Sequence, residues 1–247
     1  MASIAENIDK IRAEVACAAE RVGRDPGEIR VVAVSKTVGH AEIAQAVTAG
    51  IHDFGENRTA LFSERRDAFP QERWHFIGSI QTNKVKDFAA RASLVHSLAS
   101  ERALAAIERR IAEHESHQGA TGAFPAPEPG STLVQDVLIE VNVSGEPSKD
   151  GVAPAELERM LVTVPQYRHL QVRGLMTMAP QGDAKRARST FRALRVLRDD
   201  LAARIGALPN VELRELSMGM SEDYVIAVEE GATILRIGRK VWQDTHG

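Results

Sequence analysis

The chain reads as an α/β protein, a single (β/α)8 barrel of the TIM type with an extra helix at its N-terminus. Three observations predict this. Short, continuous apolar runs of β-branched character recur along the sequence. Amphipathic helical patterns alternate with them, as repeated βα units require. The length, 247 residues, matches one such barrel. An open doubly wound sheet is the runner-up.

Taken in order, residues 3–22 form a helix, with Ile4, Ile8, Ile11, Val15 and Val22 at helical spacing and Gly23 as a stop. The runs expected as strands are 30–35, 51–54, 74–77, 94–98, 137–143, 172–178, 215–218 and 234–237. They are nearly continuous in apolar residues, as strands covered on both faces must be. Helical patterns fall at 40–49, 57–68, 82–91, 100–117, 154–164, 183–205 and 222–230. Thr82 and Ser100 suit N-caps, Pro154 a first helical turn, and Gly50, Gly206 and Gly231 follow helix ends. Little chain follows the last strand, so the N-terminal helix is expected to cover the gap that a final helix would fill. The Gly- and Pro-rich segment 118–131 reads as a mobile surface loop within one domain spanning 1–247.

Composition narrows the classes of function. The formal net charge is -3, which favours neither nucleic acid nor an anionic membrane. Arg186, Arg188, Arg192, Arg195 and Arg198 lie on one helix with Asp199 and Asp200 and read as a solvated face. Cys17 is the single cysteine, so neither an internal disulfide nor a Cys-based zinc site can form. The first ten residues carry charges where a signal peptide needs an apolar run. No stretch reaches the roughly 20 apolar residues of a membrane span. A cytoplasmic protein is expected.

In such barrels function sits at the C-terminal ends of the strands. The residues there are polar and rich in glycine. Lys36 ends the first run; a partly desolvated amine at that place forms Schiff bases with aldehydes, and the alternative is a lysine snorkelling to water. Ser217, Gly219 and Ser221, with amides at the following helix start and at Gly238 and Arg239, could cradle a phosphate; the alternative is a Ser221 cap with Glu222 and Asp223 complementing the helix dipole. Asn57 is either a ligand to a ring oxygen or a helix cap. Arg236 alternates with Leu235 and Ile237, points inward, and needs a partner: a carboxylate such as Glu140, or a ligand's ring nitrogen. His52, His75 and His96 lie in strands without metal-ligand spacing and read as satisfied core or rim residues. Walker-A and Gly-x-Gly-x-x-Gly patterns are absent from the sequence.

Six blocks, in order from about residue 30 to 240, carry a resemblance. They are Val32-Ala-Val-Ser-Lys36-Thr37, Phe54-Gly-Glu-Asn57, Trp74-His-Phe-Ile-Gly-Ser-Ile-Gln-Thr-Asn-Lys84, Arg173-Gly-Leu-Met-Thr-Met178, Leu216-Ser-Met-Gly-Met-Ser221 and Arg236-Ile-Gly238. Together they resemble the pyridoxal phosphate homeostasis protein family. The resemblance implies a barrel like the N-terminal domain of alanine racemase and an internal aldimine between pyridoxal 5′-phosphate and Lys36. It implies phosphate binding by Ser217, Gly219 and Ser221 with the amides of Gly238 and Arg239. It places Arg236 against the pyridine nitrogen and Asn57 beside the ring. The sequence departs from the family pattern at Arg239, where a small hydroxyl residue is usual, at Arg58, usually aromatic, and at Trp242-Gln243, usually Phe-Gly.

The function implied is that of an intracellular carrier and buffer of the cofactor, with PLP-dependent apoenzymes as recipients. A racemase needs acid/base groups on both faces of the substrate's α-carbon, and Lys36 serves one. An arginine against the pyridine nitrogen also weakens the ring as an electron sink. The racemase's second domain has no counterpart in the sequence, so a monomer is expected. The alternatives are a PLP-dependent amino-acid racemase and an aldolase-like barrel using Lys36 on a sugar phosphate.

Overall fold

The computed structural model describes residues 3–116, 132–146 and 149–243. Within them eight parallel strands close a barrel in chain order. These are β1 (Arg30–Val34), β2 (Asp53–Glu56), β3 (Arg73–Phe76), β4 (Leu94–Leu98), β5 (Gln135–Glu140), β6 (Leu170–Met176), β7 (Val211–Ser217) and β8 (Ile234–Ile237). The barrel shuts through β1 on β8, with Val32 opposite Arg236 and Ala33 opposite Ile237. The helices are α1 (Ile4–Arg21), α2 (His40–Thr48), α3 (Thr59–Ala68), α4 (Glu101–Ser116), α5 (Pro154–Thr163), α6 (Ala184–Arg204), α7 (Tyr224–Glu229) and α8 (Arg239–Trp242).

Side chains alternate across each strand, so one set fills the barrel and the other meets the helices. Val32, Leu94, Leu138, Met176 and Ile234 form the inner apolar cluster. Leu235 and Ile237 face the larger outer core, which places Arg236 inside the barrel. The expectation of an inward arginine therefore holds.

The N-terminal helix seals the barrel side as expected. Ser3 caps α1 with a reciprocal bond to Glu6, and Ile4, Ile8, Ile11, Val15, Ala18 and Ala19 are buried. The helix packs between α2 on one side and α7 and α8 on the other. Each large aliphatic side chain buried there contributes about 1.5–3 kcal/mol. Asn7 ties the arrangement, its side-chain amide donating to the carbonyls of Val241 and Gln243. A one-turn helix, α8, does follow β8, which the sequence reading did not anticipate.

Several boundaries differ from expectation. Strand β2 runs two residues later at both ends than expected, from Asp53 to Glu56, and Glu56 is buried against Arg65 of α3. Residues Thr82–Asp87 form a 3₁₀ turn, flanked by Gln81, in place of the expected α-helix. Strand β7 begins at Val211, earlier than its polar start suggested. Helix α7 begins at Tyr224 with Asp223 at its N-cap position, so Ser221 precedes the helix. The arginine face of α6 is an ion-paired seam: Arg188 and Arg192 reach Glu230 at 3.0 and 2.9 Å. The segment 118–131 lies outside the described residues.

Candidate functional site

At the C-terminal ends of the strands lies a cavity of about 540 Å³, lined by Lys36, Thr37, Asn57, Ser221, Arg236, Gly238 and Arg239 among others. Its size falls within the roughly 300–1,000 Å³ of small-molecule sites. Six of the eight site residues expected from sequence line it. Ser217 and Gly219 lie beneath, both buried.

Lys36 stands one residue past Ser35, in the turn after β1, and its side chain is exposed. The expectation of partial desolvation is therefore corrected: the amine reaches into the mouth of the cavity. What is buried is its support. Arg65 of α3 donates to the carbonyls of Ser35 and Val38, each at 2.6 Å, and pairs with Glu56. Ser35 Oγ donates to Glu56 Oε1 at 2.8 Å. The lysine-bearing turn is thus tied from both flanks to one buried ion pair. Burial pushes the Glu56 carboxyl up, against the opposing pull of Ser35, Arg65 and the Asn57 amide. Trp242 adds a third tie, its indole N–H donating to the Val34 carbonyl at 2.7 Å. None of Arg65, Glu56 or Trp242 was assigned a role from sequence. The signal available was an arginine on the helix following a strand that ends in glutamate.

Asn57 follows β2 and is exposed on the cavity wall. It does not cap α3, whose N-cap position is Arg58. Gly78, after β3, allows this arrangement, since a Cβ there would collide with the Asn57 backbone.

The loop after β7 supplies the donors for an anion. Gly219 sits at φ +92°, a conformation that favours glycine, and its added Cβ would strike Ala227. The turn it makes presents the amides of Ser221 and Glu222. Among the described residues neither amide has a hydrogen-bond partner, and the same holds for the amide of Arg239. The two acids in this loop also line the cavity, and each is engaged within the protein. The Asp223 carboxylate accepts from the Met220 amide at 2.6 Å, and Glu222 pairs with the Arg239 guanidinium at 2.6 Å. Burial raises the Asp223 carboxyl.

Arg236 is 4% exposed and reaches the cavity floor. Its Nη1 donates to Ser217 Oγ at 2.6 Å and its Nη2 to the Thr177 carbonyl at 3.0 Å. Desolvation pushes it down to about 10, with Glu140 and Asp223 opposing, so it remains a cation at neutral pH. The expected carboxylate partner, Glu140, acts only through space. Burial and the nearby Asp150 push the Glu140 carboxyl up to about 7, while Arg236 pulls it down.

A barrel whose C-terminal mouth joins an accessible lysine, an inward arginine and free loop amides is of the alanine racemase type, and comparison agrees. The family model described as alanine racemase, N-terminal domain, matches residues 6–244. An alanine racemase of Clostridium difficile superposes with a TM-score of 0.70 at 12% identity, over 99% of this chain and 57% of that one, a likeness of fold. The pyridoxal phosphate homeostasis protein of Pseudomonas aeruginosa is 40% identical over 96% of this chain and 94% of its own length. PipY of Synechococcus elongatus, solved with PLP bound, has a TM-score of 0.77 at 28% identity, covering 97% of this chain and 99% of that one. The chain belongs to the pyridoxal phosphate homeostasis protein family.

Proposed function

We infer that this protein binds pyridoxal 5′-phosphate in the cavity at the barrel mouth and holds it covalently on Lys36, as a carrier and buffer of the cofactor. The observation that carries this reading is the convergence, on one cavity, of an accessible amine, three unpartnered amides and a buried cation. These residues fit the group. The Ser221, Glu222 and Arg239 amides, with the Ser221 hydroxyl and the Arg239 side chain, suit a phosphate dianion. Ser217 and Gly219 serve this end indirectly, by holding Arg236 and by shaping the turn. Arg236 suits the pyridine nitrogen, Asn57 the ring edge, and Lys36 Nζ the aldehyde. When bound, the cofactor supplies an electrophilic aldehyde that a lysine captures reversibly with loss of water.

The same geometry favours keeping the cofactor over using it. Arg236 has no acceptor atom and stays protonated, so it would donate to the ring nitrogen of a bound cofactor and leave that nitrogen without a proton. The exposed Lys36 and open mouth would leave a bound cofactor accessible for transfer to PLP-dependent apoenzymes. A family relative is named for homeostasis of the cofactor, which supports the same role. We take the whole chain to act as one barrel domain and a monomer in the cytoplasm; no described helix is long and apolar enough to cross a membrane.

The test is the visible spectrum of the purified protein with added pyridoxal phosphate, then borohydride reduction and peptide mapping. A protonated-imine band and one reduced adduct, on Lys36 and lost in Lys36→Ala, are expected. Adducts scattered over surface lysines would overturn the reading.

A further inference from the structure

A hydrogen-bonded column crosses the barrel core from one end to the other. It starts at Arg236 and Ser217, on the C-terminal side, and continues through His96 of β4 and His75 of β3. It ends at Asp53, the first residue of β2. All five are buried, Ser217 and His96 completely. Ser217 Oγ lies 2.9 Å from His96 Nδ1, His96 Nε2 lies 2.9 Å from His75 Nδ1, and His75 Nε2 lies 2.9 Å from Asp53 Oδ1. At its far end Asp53 is held by Arg73 at 2.9 and 2.6 Å, with Arg30 at 3.9 Å.

Valence fixes the direction of every proton in this column. A guanidinium only donates, so Ser217 Oγ accepts from Arg236. Burial holds both imidazoles below their usual range, His96 well below, so each ring carries one proton. Burial opposes ionisation of Asp53, yet the bonds from Arg73 and His75 hold its carboxyl well below the usual range. Asp53 is therefore an anion that must accept, and His75 must place its proton on Nε2. His75 Nδ1 is then an acceptor, which requires the His96 proton on Nε2. His96 Nδ1 accepts in turn, and the Ser217 proton goes to it. The reverse order would set the His75 lone pair against a carboxylate.

We propose that Asp53, His75, His96 and Ser217 form a positioning relay for Arg236, through which an anion at the N-terminal end orients the guanidinium at the cofactor pocket. With its proton committed to His96, Ser217 presents a lone pair to Arg236 and cannot compete with it as a donor. The Thr177 carbonyl fixes the second nitrogen. This inference rests on the reading of Arg236 as the ring-facing group, while the column itself does not.

The experiment therefore has two arms on the full chain. The first is ¹⁵N NMR of the histidine rings without cofactor at neutral pH. Both His75 and His96 are expected as neutral Nε2–H tautomers, with the His96 resonances displaced in Asp53→Asn and in Ser217→Ala. A wild-type His96 carrying its proton on Nδ1, or one unmoved by Asp53→Asn, would overturn the relay. The second arm titrates pyridoxal phosphate by absorbance. Asp53→Asn is expected to weaken binding roughly tenfold or more and to shift the band, since a bond to a charged group is disturbed. Asp136→Asn breaks a pair with Arg173 at the same end but off the column, and is expected to change neither. Equal effects of the two variants would mean general destabilisation and would refute the relay. If the wild-type protein forms no adduct on Lys36, the cofactor reading fails, and the NMR arm still decides the column.

Discussion

The two ends of this barrel treat charge differently, although both carry ion pairs. At the N-terminal end the charged groups are matched. Asp53 is clasped by Arg73 and His75, and Arg173 spans Asp136 and Glu212 at 2.9 and 3.0 Å. At the C-terminal end Lys36 and the Asn57 side chain have no hydrogen-bond partner among the described residues. Burial there raises the carboxyls of Glu56, Glu140 and Asp223, whereas Asp53 is lowered. Unmatched polar groups and desolvated carboxyls cost stability, and a fold concentrates such costs where a ligand is to be met. The N-terminal end pairs its charges within the protein and reaches the pocket only through the column, whereas the C-terminal end leaves groups for what enters it.

Substitutions sharpen this contrast. The largest functional effect is expected from Lys36→Ala, which should abolish the borohydride-trapped adduct. Because the side chain is exposed, its urea midpoint should correspond to within about 0.5 kcal/mol of wild type. A large loss of stability would break the division between the two ends.

Asp53→Ala, at the opposite end, should cost about 1–3 kcal/mol in chemical denaturation, because the buried His75 N–H loses its acceptor while the half-exposed Arg73 turns to water. The pH dependence carries the matching sign. The Asp53 carboxyl is lower in the folded state, so its contribution is present above roughly pH 4 and lost as pH falls through the lower folded value. Acid unfolding of Asp53→Ala should accordingly lose part of its pH dependence in that range.

Glu140 has the opposite sign. Its folded value, about 7, lies above the usual carboxyl value of roughly 4.3, so its contribution is present below that value and lost as pH rises through 7. Wild-type stability should decline between about pH 4 and 7, and Glu140→Gln should reduce the decline by on the order of 3 kcal/mol. Parallel pH profiles for the two proteins would show that this carboxyl is not desolvated.

The smallest effect is expected from Arg239→Ala. Its pair with Glu222 is solvent-exposed, so loss of the pair should alter stability by about 1 kcal/mol or less. Its effect should appear in phosphate-dependent affinity, as a loss that high salt diminishes.

Much of the site was legible because its residues end strands. A continuous apolar run followed by Ser35-Lys36, or by Gly238-Arg239, places those residues at the mouth of a barrel from local sequence alone. The three parts of the Ser217–Ser221 block proved less alike than their spacing suggested. Ser221 lines the cavity, Gly219 turns the chain, and Ser217 lies beneath, bonded to Arg236. Spacing along a strand end shows which residues are near one another but not their depth. Lys36 is exposed rather than desolvated for the same reason, since exposure depends on α3 and the turn it holds, not on the strand.

What the sequence by itself determined is the alternation of strand and helix, the number of βα units, and the identity of the residues at the strand ends. These follow from local periodicity, which each segment carries within itself. Only the tertiary structure decided which inward-facing side chains meet. Asp53, His75, His96, Ser217 and Arg236 come from five strands, and their contacts depend on the register of β2 on β3, on the stagger that closes the barrel, and on β8 joining β1. The clasp of Arg65 on Glu56 and Ser35 likewise depends on how α3 lies across the strand ends. Alternation tells which face a side chain occupies. Register between strands distant in sequence sets which atoms it touches, and no single segment contains that information.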